Sequence, residues 1–213
     1  MQLPTSRMQV FQPFRRYRTA VVCVVLMACA IPRSVAQEVT VIRGGTLIDG
    51  TGAPPAPNAV IVVRGDRIEA IGQGITPPAG AQVVDATGKY ILPGLWDKHL
   101  HYKDWFPELL ITNGVTNAFV QDGGPWINAQ KEGVEKGKIL GPRMFLRQQS
   151  IDLWDPVAAR KRVLETIGMR ADFIKVYTGA TPEVVKIAAE EAHKAGLHVE
   201  GHLGISARQA VAA

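Results

Sequence analysis

The stretch Leu92-Pro-Gly-Leu-Trp-Asp-Lys-His-Leu-His101 decides how the rest of the chain is read, because an apolar strand ends there in two histidines one residue apart. Successive side chains of a β-strand point to opposite faces, which predicts Asp97, His99 and His101 on one face and Lys98 and Leu100 on the other. Neutral imidazole nitrogen is a common metal ligand, and two imidazoles fixed on one strand lose little freedom in closing on a divalent ion. Taken alone, such a pair is equally two polar side chains capping a strand. The neighbouring sequence has to decide.

Downstream, the pattern alternates strand and helix. Residues 107–112 predict a short helix ended by Asn113-Gly114, 115–121 a strand, 126–138 a helix and 143–151 a strand. Asp155-Pro156 and Thr181-Pro182 each set an N-cap residue before a proline at the first helical position, and the helices they open stop before Gly168 and Gly196. Strands follow each of them, at 173–177 and 197–202, and Ser206 can cap a last helix. Alternation of this kind implies right-handed crossovers and a parallel sheet. Upstream, short β-rich runs at 39–43, 59–63, 67–71, 82–85 and 90–92, with a hairpin signal at Gly65-Asp66, predict a small β-sheet domain. The glycine pairs at 44–45, 50–52 and 72–74 lack the strand-to-helix setting of a phosphate loop and read as turns.

Pro93-Gly-Leu-Trp-Asp-Lys-His-Leu-His101 resembles the first-strand signature P-G-[LF]-[IW]-D-x-H-x-H of the amidohydrolase superfamily, metal-dependent hydrolases built on a (β/α)8 barrel. Asp172-Phe-Ile-Lys-Val-Tyr177 is similar to the fourth barrel strand of that family and Gly196-Leu-His-Val-Glu-Gly-His202 to the fifth, in the right order, with the imidazolonepropionase- and prolidase-like branch the nearest. The resemblance implies an α/β protein in which residues 37–94 form a β-sandwich-like domain and 95–213 supply strands one to five of a TIM barrel. A closed barrel has eight strands in about 250 residues, so the chain is expected to be truncated and inactive alone.

The same resemblance implies a metal site made by His99, His101, Lys175 and His202, holding one or two divalent ions, with zinc first and iron, manganese or cobalt as alternatives. Lys175 would carry a carbamate formed from carbon dioxide, since burial beside a cation lowers a lysine pKa towards the reactive neutral amine; an ordinary barrel-lining lysine paired with an acid such as Glu200 is the alternative. Asp97 is placed to orient a ligand ring, and Asp122 lines the pocket mouth or serves a turn. An inward Glu200 needs a partner, which His198, a lysine or a ligand histidine could be. Tyr177 shares the face of Lys175. His198 reads as structural and His193 as solvated. The family's proton-shuttling aspartate belongs to an eighth strand.

Residues 1–36 combine a basic segment (Arg15, Arg16, Arg18), an apolar run from Thr19 to Ile31 and a small-residue site at Ser34-Val35-Ala36, the pattern of a signal peptide. Export to the periplasm or medium is expected, with lipid attachment at Cys29 as a second reading and no membrane span after processing. That segment holds five of the 24 basic residues and no acidic one, which leaves 19 basic against 19 acidic side chains. The basic charge therefore belongs to the leader and gives no support for nucleic-acid binding. Both cysteines, Cys23 and Cys29, also lie there, so no thiolate is available as a metal ligand downstream. The expected activity is hydrolysis of amide-type C–N bonds in small molecules such as dipeptides, N-acyl amino acids or cyclic amides, by metal-activated water. The alternative is a non-catalytic binding module on the same fold.

Overall fold

A computed structural model describes residues 38–202 and 204–212; the expected signal peptide and both cysteines lie outside the described residues. The chain divides into two compact units, one reaching Ile48 and including Gly52–Ile91, the other made of Asp49–Thr51 with Leu92 onward.

In the first unit β1 (Val39–Leu47) pairs antiparallel with β2 (Ala56–Arg64), and β2 pairs with β3 (Arg67–Gly72). On the other side of β1 run β4 (Gln82–Asp85) and β5 (Tyr90–Ile91), both parallel to it. Alternation brings Val41, Val60 and Val62 onto one buried cluster. Gly65, at φ +58°, turns the β2–β3 hairpin where Arg64 faces Arg67. The sequence placed a turn at Gly44-Gly45, yet β1 continues through it. A register shift after Arg43 absorbs Gly44 at φ +85°, and a Cβ there would stand 2.6 Å from Thr87 Oγ1.

The second unit contains β6 (Leu95–Leu100), α1 (Phe106–Thr112), β7 (Val115–Val120), α2 (Pro125–Glu135), β8 (Arg143–Leu146), β9 (Ser150–Ile151), α3 (Pro156–Gly168), β10 (Ile174–Val176), α4 (Pro182–Lys194), β11 (Val199–Gly201) and α5 (Ala207–Val211). Its strands form two parallel three-stranded sheets, β6-β7-β8 and β9-β10-β11. The expected continuous third strand is two pieces. Gln148 at φ +62° breaks it, so β8 pairs with β7 while β9 pairs with β10. The Asp155 carboxylate accepts from the Val157 and Ala158 amides, and Thr181 Oγ1 from that of Val184, as the cap-proline pattern predicts. Ser206 and Gln209 close a reciprocal capping box.

Ile174 and Val176 pack with Val163, Val184, Ala188 and Ala192 of α3 and α4, while Val120 and Leu146 pack with Ile127 of α2. Asp172, part of the motif before Lys175, is structural: its carboxylate accepts from the Leu146 amide at 2.7 Å and from Lys131 Nζ at 2.7 Å.

Candidate active site

Four strands of the second unit carry the same three-letter pattern, a ring, an aliphatic and a long polar residue: Phe119-Val120-Gln121, Phe145-Leu146-Arg147, Phe173-Ile174-Lys175 and His198-Val199-Glu200. The strand period of two sends the aliphatic residues into the helix-covered core, with Val120, Leu146 and Ile174 at most 1% exposed. The first and third residues take the opposite face. There the rings stack into a floor: Phe119 lies 4.8 Å from Phe145 and 5.2 Å from Phe173, and His198 lies 5.6 Å from Phe173 and nearly parallel to it. Trp96 joins at 5.5 Å from Phe145. Two residues further along each strand comes a polar layer of Gln121, Arg147, Lys175 and Glu200, and beyond Lys175 and Glu200 come Tyr177 and His202.

The strand with the two histidines does not keep the expected alternation. Asp97 faces Ala118 but Leu100 faces Val120, so three steps on β6 match two on β7. Lys98 and Leu100 therefore take different sides. Leu100 packs in the helix-side core, whereas Lys98 Nζ sits 3.0 Å from the centroid of the Phe119 ring. The extra residue also lifts His99 towards the polar layer. Its ring lies 5.7 Å from that of His101 and 5.2 Å from that of His202, and the His202 ring meets Tyr177 edge-on at 5.2 Å. Lys175 Nζ is 5.8 Å from the Tyr177 ring.

The expected carboxylates divide. Asp122 Oδ1 stands 3.3 Å from His101 Nδ1, and its second oxygen accepts from the Tyr102 amide at 2.8 Å. A proton on Nδ1 shared with this carboxylate leaves Nε2 as the free lone pair, so Asp122 does the work expected of Asp97. Asp97 instead accepts from the backbone amide of His99 at 2.9 Å and orients the chain, not a ring. Glu200 Oε1 accepts from Gln121 Nε2 at 2.6 Å, and Oε2 stands 3.9 Å from His198 Nε2. His193 is exposed, as expected of a charged helix face.

Lys175 is 2% exposed, and among the described residues no hydrogen bond or ion pair reaches its amine. Burial lowers its pKa from the ordinary lysine range, opposed by Glu200 and assisted by Arg147. The His99 pKa is lowered by burial first, then by Lys175, His202 and His101, again against Glu200. Burial and the nearby Lys98 ammonium lower that of His198. Each favours the neutral form, the one in which imidazole or amine nitrogen can donate electrons.

Gln121 and Arg147 were missed in the sequence. Arg147 donates from Nε to the Gln121 carbonyl and from Nη1 to Ser150 Oγ, bridging the break between β8 and β9. The repeated ring-aliphatic-polar pattern is the signal that would have found both.

Among the described residues no group of three or more His, Cys, Asp or Glu side chains stands close enough to hold a metal ion. The four expected ligands thus do not form a closed site: ring contacts link His101 to His99 and His99 to His202, while Lys175 Nζ is placed against Tyr177. The donor set fits a divalent ion chemically, with three imidazoles, a ring at His101 held by Asp122 and a lysine amine that makes no hydrogen bond or ion pair among the described residues.

No family model matches the chain. It is 38% identical over 126 residues to an N-acyl-D-aspartate deacylase of Alcaligenes xylosoxydans xylosoxydans, covering 56% of this chain and 25% of that one. It is 41% identical over 63 residues to a dihydroorotase of Trichlorobacter lovleyi, covering 30% and 15%. Its fold matches a Bifidobacterium longum protein assigned as a prolidase with a TM-score of 0.70 at 24% identity, over 83% of this chain and 52% of that one. The chain thus spans a quarter or less of these two curated relatives and about half of the solved one. The strand motifs in their order, the fold match and the identities to a deacylase and a dihydroorotase support assignment of the chain to the amidohydrolase superfamily.

Proposed function

We propose that this chain belongs to a metal-dependent hydrolase of amide-type C–N bonds, with His99, His101 and His202 as metal ligands and Lys175 as their bridging partner. The observation that carries the reading is the set of three imidazoles linked through His99, with, among the described residues, a nearly fully buried lysine whose amine makes no hydrogen bond or ion pair. In this reading the parallel strands β6, β7, β8–β9, β10 and β11 are the first five of a (β/α)8 barrel, and the reaction takes place at their carboxyl ends. The five-stranded sheet before them is a separate domain, and residues 1–36 direct export.

A divalent ion held there, zinc in the first instance, supplies Lewis acidity and a bound water with a pKa of about 7. The chain's own residues prepare that position. Asp122 holds the His101 ring, and partial desolvation, followed by the Lys175 charge, lowers the His99 pKa in the direction of the neutral ring. The Lys175 nitrogen bonds the carbon of carbon dioxide and releases one proton, and the resulting carbamate offers two oxygens where the bare amine offers one nitrogen. The buried rings Phe119 and Phe173 form an apolar base beneath the polar layer, with the half-buried Phe145 and the exposed His198 at its edges. Dipeptides, N-acyl amino acids and cyclic amides are the substrates tried first, because the related deacylase and dihydroorotase act on C–N bonds.

Metal analysis and calorimetric titration with zinc, manganese, cobalt and iron test the reading. The chain is expected to bind at least one ion and to lose it in His99→Ala and His202→Ala. A chain that takes up none of the four metals overturns the hydrolase and leaves a binding module on the same fold.

A further inference from the structure

Lys175 and Glu200 are register partners on the neighbouring parallel strands β10 and β11, so their side chains leave the sheet on the same face. Opposite charges in that relation ordinarily pair across strands. They do not pair here. Glu200 turns to the Gln121 amide at 2.6 Å, and Lys175 is left with no acceptor among the described residues. Gln121 is itself anchored for the task. Its backbone amide donates to the Leu100 carbonyl at 2.7 Å, and its carbonyl accepts from Arg147. Only the nitrogen end of the side-chain amide can donate to a carboxylate, so the bond also fixes which way the amide faces. Its Oε1 is consequently buried without a partner, and Gln121 is fully buried. An unsatisfied buried acceptor is unfavourable and uncommon in folded proteins. A glutamine that served only packing would be better replaced by an apolar residue of its own size.

We propose that Gln121 is a positioning residue that acts through Glu200: it holds the carboxylate away from its cross-strand lysine and so keeps the Lys175 amine open to carbon dioxide and metal. This rests on the role assigned above to Lys175. Without the amide, Glu200 is left between His198 Nε2, 3.9 Å from Oε2, and the amine of its register partner Lys175, the only one of the two that carries a full charge irrespective of imidazole protonation. A direct Lys175–Glu200 pair then aims the ammonium hydrogens at the carboxylate, and the nitrogen has no free lone pair.

The test compares the 213-residue chain with Gln121→Met, which keeps the size and removes the donor, and with Gln121→Met/Glu200→Gln, which also removes the competing charge. Crystal structures are expected to show Glu200 hydrogen-bonded to Lys175 in the single variant only. In carbon-13 NMR with labelled bicarbonate, the carbamate signal is expected to fall at least about tenfold in the single variant, the scale typical of losing a residue that orients a ligand. It is expected to return in the double variant, which a purely structural role for Gln121 does not explain. The proposal is overturned if Glu200 keeps its place in Gln121→Met, or if the carbamate signal is unchanged there. If the unaltered chain gives no carbamate signal, the assignment of Lys175 falls, and the position of Glu200 in the two structures still decides the role of Gln121. Should Gln121→Met fail to fold, Gln121→Asn, too short by one methylene to reach Glu200, takes its place.

Discussion

Among the described residues, the sheet unit buries Val41, Ala59, Val60, Ile61, Val62 and Ala86, all apolar, whereas the parallel unit also buries Gln121, Thr166, Lys175 and Glu191. Two of these four are satisfied. Thr166 donates to the Arg162 carbonyl, and Glu191 pairs with Arg160 and Lys194. Among the described residues Gln121 Oε1 has no partner and the Lys175 amine makes no hydrogen bond or ion pair, and both belong to the unit that carries the three histidines. The buried set of one unit is therefore wholly apolar, while that of the other carries polar side chains at the proposed site, where a cost in stability is expected. Since all four tryptophans lie at or after Trp96, tryptophan fluorescence follows unfolding of the parallel unit, while circular dichroism follows both.

The largest effect is expected from the ring floor. Phe173 is fully buried, and Phe173→Ala should cost about 3–5 kcal/mol in urea unfolding followed by tryptophan fluorescence. A loss well under that range would mean that the floor is loosely packed and the contrast between units is overdrawn. Lys175→Met should move stability the other way, by about 1–3 kcal/mol, because it replaces a desolvated amine with an apolar side chain of similar length. The same variant should lose metal, so a destabilised Lys175→Met would break the comparison outright. Asp122→Asn keeps an oxygen for the Tyr102 amide but gives up the charge facing His101, and metal affinity should fall about 10–100-fold with unfolding midpoints nearly unchanged.

Smaller effects belong to groups with ordinary local roles. Thr181→Ala removes the cap of α4 and should cost about 1 kcal/mol, seen by fluorescence and without effect on metal binding. In the sheet unit, the exposed Asp85 carboxylate accepts from the Thr87 hydroxyl and amide, which lower its pKa below the ordinary 3.8. A depressed folded-state pKa contributes stability above the unfolded value, and that contribution disappears as pH falls through the folded one. Asp85→Asn should therefore flatten the circular-dichroism acid limb below about pH 4 and leave neutral stability little changed. An unaltered acid limb would show that the turn carries no such linkage.

Much of the parallel unit was legible because its signals are local. Asp155-Pro156 and Thr181-Pro182 announce helix starts through hydrogen bonds made within three residues, and the histidine motifs stand at strand ends where the fold needs them. What escaped was set by long-range pairing. The bulge that puts Lys98 over Phe119 exists because β7 takes two steps for three of β6, and nothing within residues 97–100 encodes that count. The break at Gln148 likewise serves two sheets at once. A Cβ on Gly123 would stand 2.1 Å from the Gln148 carbonyl oxygen, a contact 25 residues away in the chain. Asp122, not Asp97, meets a histidine ring for a related reason, since strand spacing shows which residues share a face but not which backbone amide lies nearer. Gln121 carries no chemistry of its own and becomes visible only beside Glu200, 79 positions on.

The ring-aliphatic-polar triplet gives the parallel unit a division of labour that bears on how such a chain can diverge. The second letter of each triplet packs towards the helices, the first stacks ring on ring, and the third lies further along the strand on the ring side, beside the candidate site. Descendants could exchange Gln121, Arg147, Lys175 or Glu200 one at a time, revising what is bound or cleaved while the scaffold beneath stays as it was.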